Sequence, residues 1–303
     1  MKVLAILSRI LIIFFLTIGI LHAEEVAITI DDPNCGDAIY YTHQERDQKI
    51  IEALQKHHIQ AAYFVVGSCV DYPEGKALLE KWDKLGILLG NHTYSHKSLN
   101  DMSLEVFEQD TLKNEKLLKI YKNYKNILRF PYLKEGNTLA KRDKFRAFLS
   151  HHQYMNGSVT IDASDWYING RLEKRLAENP HADVTLYKKY YLNHMWDRAQ
   201  YYDNLAKKVL GRSPKHTLLI HHNLLNALFL DDLIQMFQDK GWNVIDASFA
   251  FQDPVFRTTP NTLPAGGSII WALAKETGRY DNVLRYPSED GSYEKDAMDK
   301  WGL

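Results

Sequence analysis

The sequence predicts an α/β fold, a deformed (β/α) barrel of about seven parallel strands with a loop-rich C-terminal extension, and three observations lead there. From Val26 onward, short runs rich in β-branched residues alternate with amphipathic segments. Repeated β-then-α units favour parallel strands joined by right-handed crossovers. Most polar side chains capable of chemistry fall where a strand candidate ends. Parallel α/β folds gather their sites at those ends, and a barrel unites more of them than an open sheet does.

Taken in order, the chain opens on Met1-Lys2, continues through an apolar run over residues 3–21 broken by Ser8, Arg9 and a few small residues, and reaches His22-Ala23. This is the layout of a signal peptide over residues 1–23. Leu21 stands where a small residue is preferred before the cut, so an uncleaved membrane anchor is the competing reading. Either outcome exports the rest of the chain, as a periplasmic, secreted or membrane-anchored protein. The catalytic-domain candidate is residues 24–251. Within it, strands are expected at 26–32, 59–67, 87–92, 127–132, 154–162, 217–222 and 242–250. Helices are expected at 44–57, 75–85 and 103–121, with a long helical stretch over 172–210. Residues 252–303 are richer in Pro, Gly and Thr, include Pro264-Ala265-Gly266-Gly267, and read as the extension.

A chain of 303 residues, 45% hydrophobic and 12% aromatic, can bury a full core. Its formal charge is −1 and no basic block dominates, which argues against a nucleic-acid partner. Cys35 follows the first strand candidate and Cys69 the second, so both fall at the same mouth. In an oxidising compartment they form a disulfide or remain two buried thiols.

The first strand ends in Asp31-Asp32-Pro33, a paired carboxylate that is also ordinary turn chemistry. His92 and His96 stand at i and i+4, a spacing that presents two imidazoles on one face of a turn. Together the two motifs supply one carboxylate and two imidazoles for a divalent cation. One Asp is left beside the ion, where a general base is needed. Zn²⁺ suits these ligand types best, and Co²⁺ or another divalent ion suits the same triad.

Three further motifs follow: Arg129-Phe130-Pro131-Tyr132, Asp162-Ala163-Ser164-Asp165-Trp166 and Leu218-Leu219-Ile220-His221-His222. With these, roughly residues 25–250 resemble the polysaccharide deacetylases, the family-four carbohydrate esterases with a NodB-like domain, all five motifs appearing in the family's order. The resemblance implies Asp31 as general base and Asp32, His92 and His96 as metal ligands. Arg129 is implied as the partner holding Asp31 ionised, and the Tyr132 backbone N–H as an oxyanion donor, with Pro131 beside it at the substrate. His221 is implied as general acid, Asp165 as the carboxylate orienting it, and Trp166 as a wall of the acyl pocket. Two departures stand out. Pro33 occupies a position where the family usually has glycine, and His222 one where it often has aspartate. The strand's alternation lets only one of His221 and His222 face the pocket, and the likeness of Leu218-Leu219-Ile220 to the apolar run before the family's histidine favours His221.

The implied function is metal-dependent hydrolysis of N-acetyl groups on an extracytoplasmic polysaccharide such as peptidoglycan or a chitin-like glycan. Competing readings are a same-fold hydrolase of a small amide, an O-acetyl polysaccharide esterase, and a non-catalytic carbohydrate-binding protein. His43, His57, His58, His151, His152 and His194 lie outside the motifs and read as surface or packing residues. The aromatic stretch Tyr187, Tyr190, Tyr191, Trp196, Tyr201 and Tyr202 suits either stacking on sugar rings or core packing.

Overall fold

A computed structural model describes residues 23–36, 39–285 and 291–303. The expected signal segment therefore lies outside the described residues, apart from Ala23. The strands are β1 (Glu25–Asp31), β2 (Ala62–Val65), β3 (Leu88–Asn91), β4 (Tyr124–Leu128), β5 (Lys134–Gly136), β6 (Met155–Asn156), β7 (Lys215–His221), β8 (Asn243–Val244) and β9 (Ala265–Gly266). The α-helices are α1 (His43–Lys56), α2 (Pro73–Lys84), α3 (Leu104–Leu118), α4 (Leu139–His151), α5 (Asp165–Glu178), α6 (Thr185–Leu210), α7 (Leu224–Asp239), α8 (Ala247–Ala250), α9 (Ile269–Thr277) and α10 (Ser292–Trp301). Among the described residues, none of these helices is long and apolar enough to cross a membrane.

Seven strands make one parallel sheet in the order β6-β4-β3-β2-β1-β7, with β8 beside the start of β1. The sheet curls until its edges almost meet. Gly157 N–H donates to the Leu128 carbonyl on β4, and four residues later Ile161 bridges Leu218 on β7. The segment after β6 thus closes the barrel without being a regular strand. The apolar strands β1 and β7 are buried along most of their length, as parallel strands covered on both faces must be.

Helix boundaries follow local chemistry. Thr42 and Glu45 form a capping box at the start of α1. The expected single helical stretch over 172–210 is two helices, because Pro180 excludes the helical conformation at Asn179, which is extended at φ −147°. Sequence and structure also differ at three strands, the one expected over 154–162 being reduced to Met155–Asn156. The fourth strand runs from Tyr124 to Leu128, so residues 129–132 leave the sheet. Of the expected strand at 242–250, only Asn243–Val244 pairs; Ala247–Ala250 is helical, a short apolar run whose period does not discriminate strand from helix.

The residues after 252 are less loop-like than their composition suggests. Here α9 and α10 pack on the barrel, and β9 pairs antiparallel with β5. Gly266 has φ +115° and no room for a Cβ against Leu133, so glycine is what allows this close approach. Ser268 Oγ donates to the Thr160 carbonyl and Ile269 N–H to the Val159 carbonyl, fastening the segment to the barrel seam. Of the aromatic stretch on α6, Tyr187, Tyr190, Tyr191 and Tyr202 are buried, so packing accounts for them.

Helix α6 is also tied to β7 by a buried pair, Asp203 Oδ1 standing 3.3 Å from His216 Nε2, while Lys207 adds a contact at 2.6 Å to Oδ2. Burial works to raise the Asp203 carboxyl, but the hydrogen bonds from His216 and Lys207 outweigh it and hold it at about 2, below its ordinary 3.8. The stabilisation from ionised Asp203 is therefore full above pH 3.8 and is lost as pH falls through about 2. An Asp203→Asn variant is expected to lose about 1–3 kcal/mol of unfolding free energy at pH 6. Urea titrations should show that difference shrinking toward pH 2.

Candidate active site and cation centre

The candidate site forms at the carboxyl ends of β1, β3, β4 and β7. Strand β1 delivers Asp31 at its last position, and the chain leaves the sheet at Asp32 with φ +58°. Strand β3 ends at Asn91, and the turn that follows carries His92 and His96. The Arg129 carbonyl lies 2.7 Å from His92 Nδ1. A carbonyl only accepts, so Nδ1 carries the proton and Nε2 keeps its lone pair. His92 Nε2 is 3.6 Å, and His96 Nε2 3.3 Å, from Asp32 Oδ1.

These atoms fit a cation. The donor atoms of Asp32, His92 and His96 all lie within 4.8 Å of one another, and Asp32 Oδ1 is buried without a hydrogen-bond partner. Two donors each about 2.1 Å from one tetrahedral ion stand about 3.4 Å apart, close to the separations seen. Burial lowers the pKa of His92 well below the ordinary 6.5, reinforced by His96, and burial lowers His96 as well. Both imidazoles are thus biased toward the neutral form that ligates metal.

The surrounding chain fixes this cradle. Asp110 on α3 accepts from the Tyr94 N–H at 3.1 Å and from the Ser95 N–H and hydroxyl, each at 3.0 Å. Asn91 Oδ1 accepts from the Thr93 N–H and from Asn114, each at 2.9 Å. These bonds hold Thr93 at φ +62° and His96 at φ +55°. Left-handed conformations of this type cost on the order of 1–3 kcal/mol each in non-glycine residues. Cys35 and Cys69 form a disulfide with Cα atoms 5.3 Å apart, linking the loops after β1 and β2. Neither Asp110 nor Asn114 belongs to a recognisable motif, and the sequence reading missed both. Asn91 was visible beside His92, but its buried contacts were not.

Two charged pairs flank the cradle. Arg129 is fully buried, and its Nη1 donates to Asp31 Oδ1 at 2.9 Å while its guanidinium carbon sits 4.0 Å from the centre of the Phe64 ring. The expectation that Arg129 lowers the Asp31 pKa holds only in part. Burial is the larger effect and pushes the carboxyl up to about 6 against the pull of Arg129 and His221. On the other side, His221 Nδ1 lies 2.7 Å from Asp165 Oδ1. Asp165 Oδ2 accepts from the His221 N–H at 2.8 Å, Asn223 at 2.9 Å and Asn226 at 2.8 Å. Burial opposes protonation of His221, yet Asp165, with Asp32 and Asp31 behind it, raises its pKa to about 10. A bound cation would reduce this rise by offsetting the two aspartates.

His221 and His222 face opposite ways, as the alternation of β7 requires. His221 lines the cavity, whereas His222 is buried against Tyr63 with its Nε2 3.4 Å from Asp47 Oδ1. Asp31, Asp32, His92, His96, Tyr132, Trp166 and His221 line one cavity of about 930 Å³. Trp166 is half exposed on its rim, and Tyr132, at φ +59°, places its ring 4.7 Å from that of His96. Pro131 is buried in the turn before Tyr132, while Arg129 and Asp165 act on the cavity from behind Asp31 and His221. The sequence reading missed the far wall, formed by Pro264, Ala265, Gly266, Gly267 and Trp271, and also Asn100 and Lys134. A Pro-Gly-rich composition signals a loop and says nothing about what that loop covers.

Residues 19–147 match the family model described as polysaccharide deacetylase. Over that span the chain is similar to the polysaccharide deacetylase family. It is 27% identical over 150 residues to a peptidoglycan-N-acetylglucosamine deacetylase of Bacillus cereus, the match spanning 49% of this chain and 48% of that protein. The chain thus spans about half the length of the curated relative it matches. Among solved structures, it resembles a mutant of a CE4-family pseudoenzyme of Bacillus anthracis with restored activity (TM-score 0.52, 19% identity, 75% of this chain and 67% of that one). It also resembles a peptidoglycan N-acetylglucosamine deacetylase (TM-score 0.51, 20% identity, 75% and 88%). At these identities the solved structures speak for the fold, which they share with this chain.

Substitution separates ligands from neighbours. Asp32→Ala or His96→Ala is expected to weaken Zn²⁺ or Co²⁺ binding by at least about 100-fold, more than the 10- to 100-fold that loss of a supporting contact costs. His222→Gln should leave affinity within about twofold. Calorimetric titration of the purified protein, with the visible spectrum of the Co²⁺ form as a second readout, checks both.

Proposed function

We propose that this protein is a metal-dependent, exported polysaccharide deacetylase that hydrolyses N-acetyl groups of a cell-wall or other extracytoplasmic glycan. The observation that carries the reading is the placement of two opposed proton-transfer groups, Asp31 and His221, on one cavity beside a three-donor cation cradle. A cation-only site would need neither the buried Asp31–Arg129 pair nor the Asp165–His221 pair.

Asp32, His92 and His96 would hold a divalent ion, with zinc the best fit to the donor types, and the ion would supply Lewis acidity toward water and the acyl carbonyl oxygen. Asp31 takes a proton from the attacking water as its oxygen bonds to the acyl carbon. A carboxyl near 6 suits that task, since it is ionised at neutral pH and basic enough to accept. Arg129 orients the carboxylate through Oδ1 and leaves Oδ2 toward the cradle. The Tyr132 backbone N–H is assigned to the developing oxyanion. His221 is oriented by Asp165 through Nδ1, so Nε2 is the nitrogen that gives a proton to the departing amine as the C–N bond breaks. Acetate and a free amine leave. Asp31 then loses its proton, and His221 regains one, through solvent.

The glycan is assigned as N-acetylated, with peptidoglycan first because the curated relative bears that name. The half-exposed Trp166 and the exposed Tyr132 on the cavity rim offer faces on which sugar rings can stack. Export is supported by the leader-like residues 1–23 and by the Cys35–Cys69 disulfide, which suits an oxidising compartment.

The test is acetate release from peptidoglycan, chitin oligomers and acetylxylan, with and without a chelator. Release from the first two that stops on chelation is expected. Preference for acetylxylan would instead favour an O-acetyl esterase, and undiminished release after chelation would remove the metal from the reaction. Asp31→Asn should lower kcat by about 10²- to 10⁴-fold while cation affinity is kept.

A further inference from the structure

The carboxylate that orients His221 is itself held from behind, by a buried chain of contacts reaching in from the C-terminal helix. Asp165 is the first residue of α5, and the four hydrogen bonds it accepts all come from the β7–α7 side. On the other side stands Ser164, fully buried, whose hydroxyl makes no hydrogen bond and does not cap the helix. Its backbone N–H donates instead to His194 Nε2 on α6, at 3.2 Å.

That contact dictates the rest of the chain. An imidazole nitrogen that accepts carries no proton, so the ring proton of His194 sits on Nδ1. Nδ1 lies 3.1 Å from Glu294 Oε2 on α10. Glu294 also accepts from the Tyr190 hydroxyl at 3.1 Å and from Arg285 Nη2 at 2.9 Å. His194 and Glu294 are only 7% and 5% exposed. Burial alone would raise the Glu294 carboxyl, yet His194 and Arg285 hold it at about 2, so it remains an acceptor across the working range. A buried polar pair of this kind is costly compared with apolar packing, which makes a positional role worth asking for.

We propose that His194 and Glu294 are positioning residues, which fix the first turn of α5 and through it the Asp165 carboxylate against His221. The proposal deepens the reading of His221 as the proton donor and rests on it. Removal of the imidazole leaves the Ser164 N–H buried and unsatisfied, and the turn must shift to find another acceptor. A displacement of about 1 Å is enough to lose the short Asp165–His221 bond and costs on the order of 100-fold where a reacting group depends on it. Neither residue lines the cavity, so binding should be largely spared.

The experiment uses the full chain loaded with Zn²⁺ and reads two signals. Steady-state kinetics on the best acetylated glycan is expected to give a kcat for His194→Ala that is about 10- to 100-fold lower, with KM within about twofold and Zn²⁺ affinity unchanged. His194→Gln can accept from Ser164 and donate to Glu294 through one amide, and it should recover most of the rate. The second signal is the proton NMR resonance of His221 Nδ1–H, assigned by ¹⁵N-histidine labelling, which should shift or broaden in His194→Ala and return in His194→Gln.

A folded His194→Ala variant with wild-type kcat and an unmoved resonance would overturn the proposal. So would a loss that His194→Gln fails to relieve. Should the alanine variant not fold, Glu294→Gln decides: a displaced resonance and a kcat lowered at least about threefold support positioning, and wild-type values for both overturn it. The resonance needs no substrate. Absence of deacetylation by the wild-type chain would therefore count against the functional reading, while the NMR arm still decides whether His194 positions Asp165.

Discussion

The register between β1 and β7 is the constraint on which the site depends. Asp31 and His221 are direct partners across that parallel pair, so both side chains emerge on the same face at the same height. The His222 N–H then donates to the Asp31 carbonyl, which closes the ladder and turns the second histidine away. A slip of one residue would exchange His221 for His222 and carry the imidazole now held by Asp165 away from the carboxylate. The apolar residues behind, Ile28 and Ile30 on β1 and Leu218 and Ile220 on β7, hold the register because they are fully buried. Hydrophobic burial thereby sets the spacing of the two groups proposed to do proton chemistry.

Around that register the site divides its charges into separate tasks. Arg129 belongs to Asp31, Asp165 belongs to His221, and Asp32 alone retains an unanswered buried oxygen. Burial acts with opposite results, since it raises Asp31, lowers His92 and His96, and is overcome at His221 by a carboxylate at hydrogen-bond distance. Asp31 and His221 are thus pushed up while His92 and His96 are pushed down, all on one cavity.

Much of this was legible in the sequence. Residues at strand ends announced the mouth, and i, i+4 histidines beside a paired carboxylate announced a ligand set. Strand alternation allowed only one of His221 and His222 to face the pocket, and the resemblance of the run before it to the family's motif pointed to His221. What stayed hidden is long-range or irregular. The closure of the barrel through Gly157 and Ile161 uses two brief pairings rather than a periodic strand. Ala247–Ala250 is too short for its period to declare a helix. The wall built by Pro264 to Gly267 and Trp271 depends on tertiary docking against Leu133 and Thr160, for which composition carries no sign. His194 read as a packing residue because its partners are 30 residues before it and 100 after it.

The left-handed backbone at Asp32 and His96 has a thermodynamic consequence for the ion. Those conformations are secured by the sheet, by Asp110 and by Asn91, none of which is an assigned ligand. Hydrogen bonds rather than ligand bonds hold these turns, so a cation bound there would not have to organise the chain that holds it. In small zinc modules, metal affinity and folding free energy are one quantity; here the two are expected to be separable. Stripping the ion should leave a protein with its native melting behaviour largely intact. Exchange of one divalent ion for another then becomes a matter of ligand chemistry and supply, decided after the fold is complete.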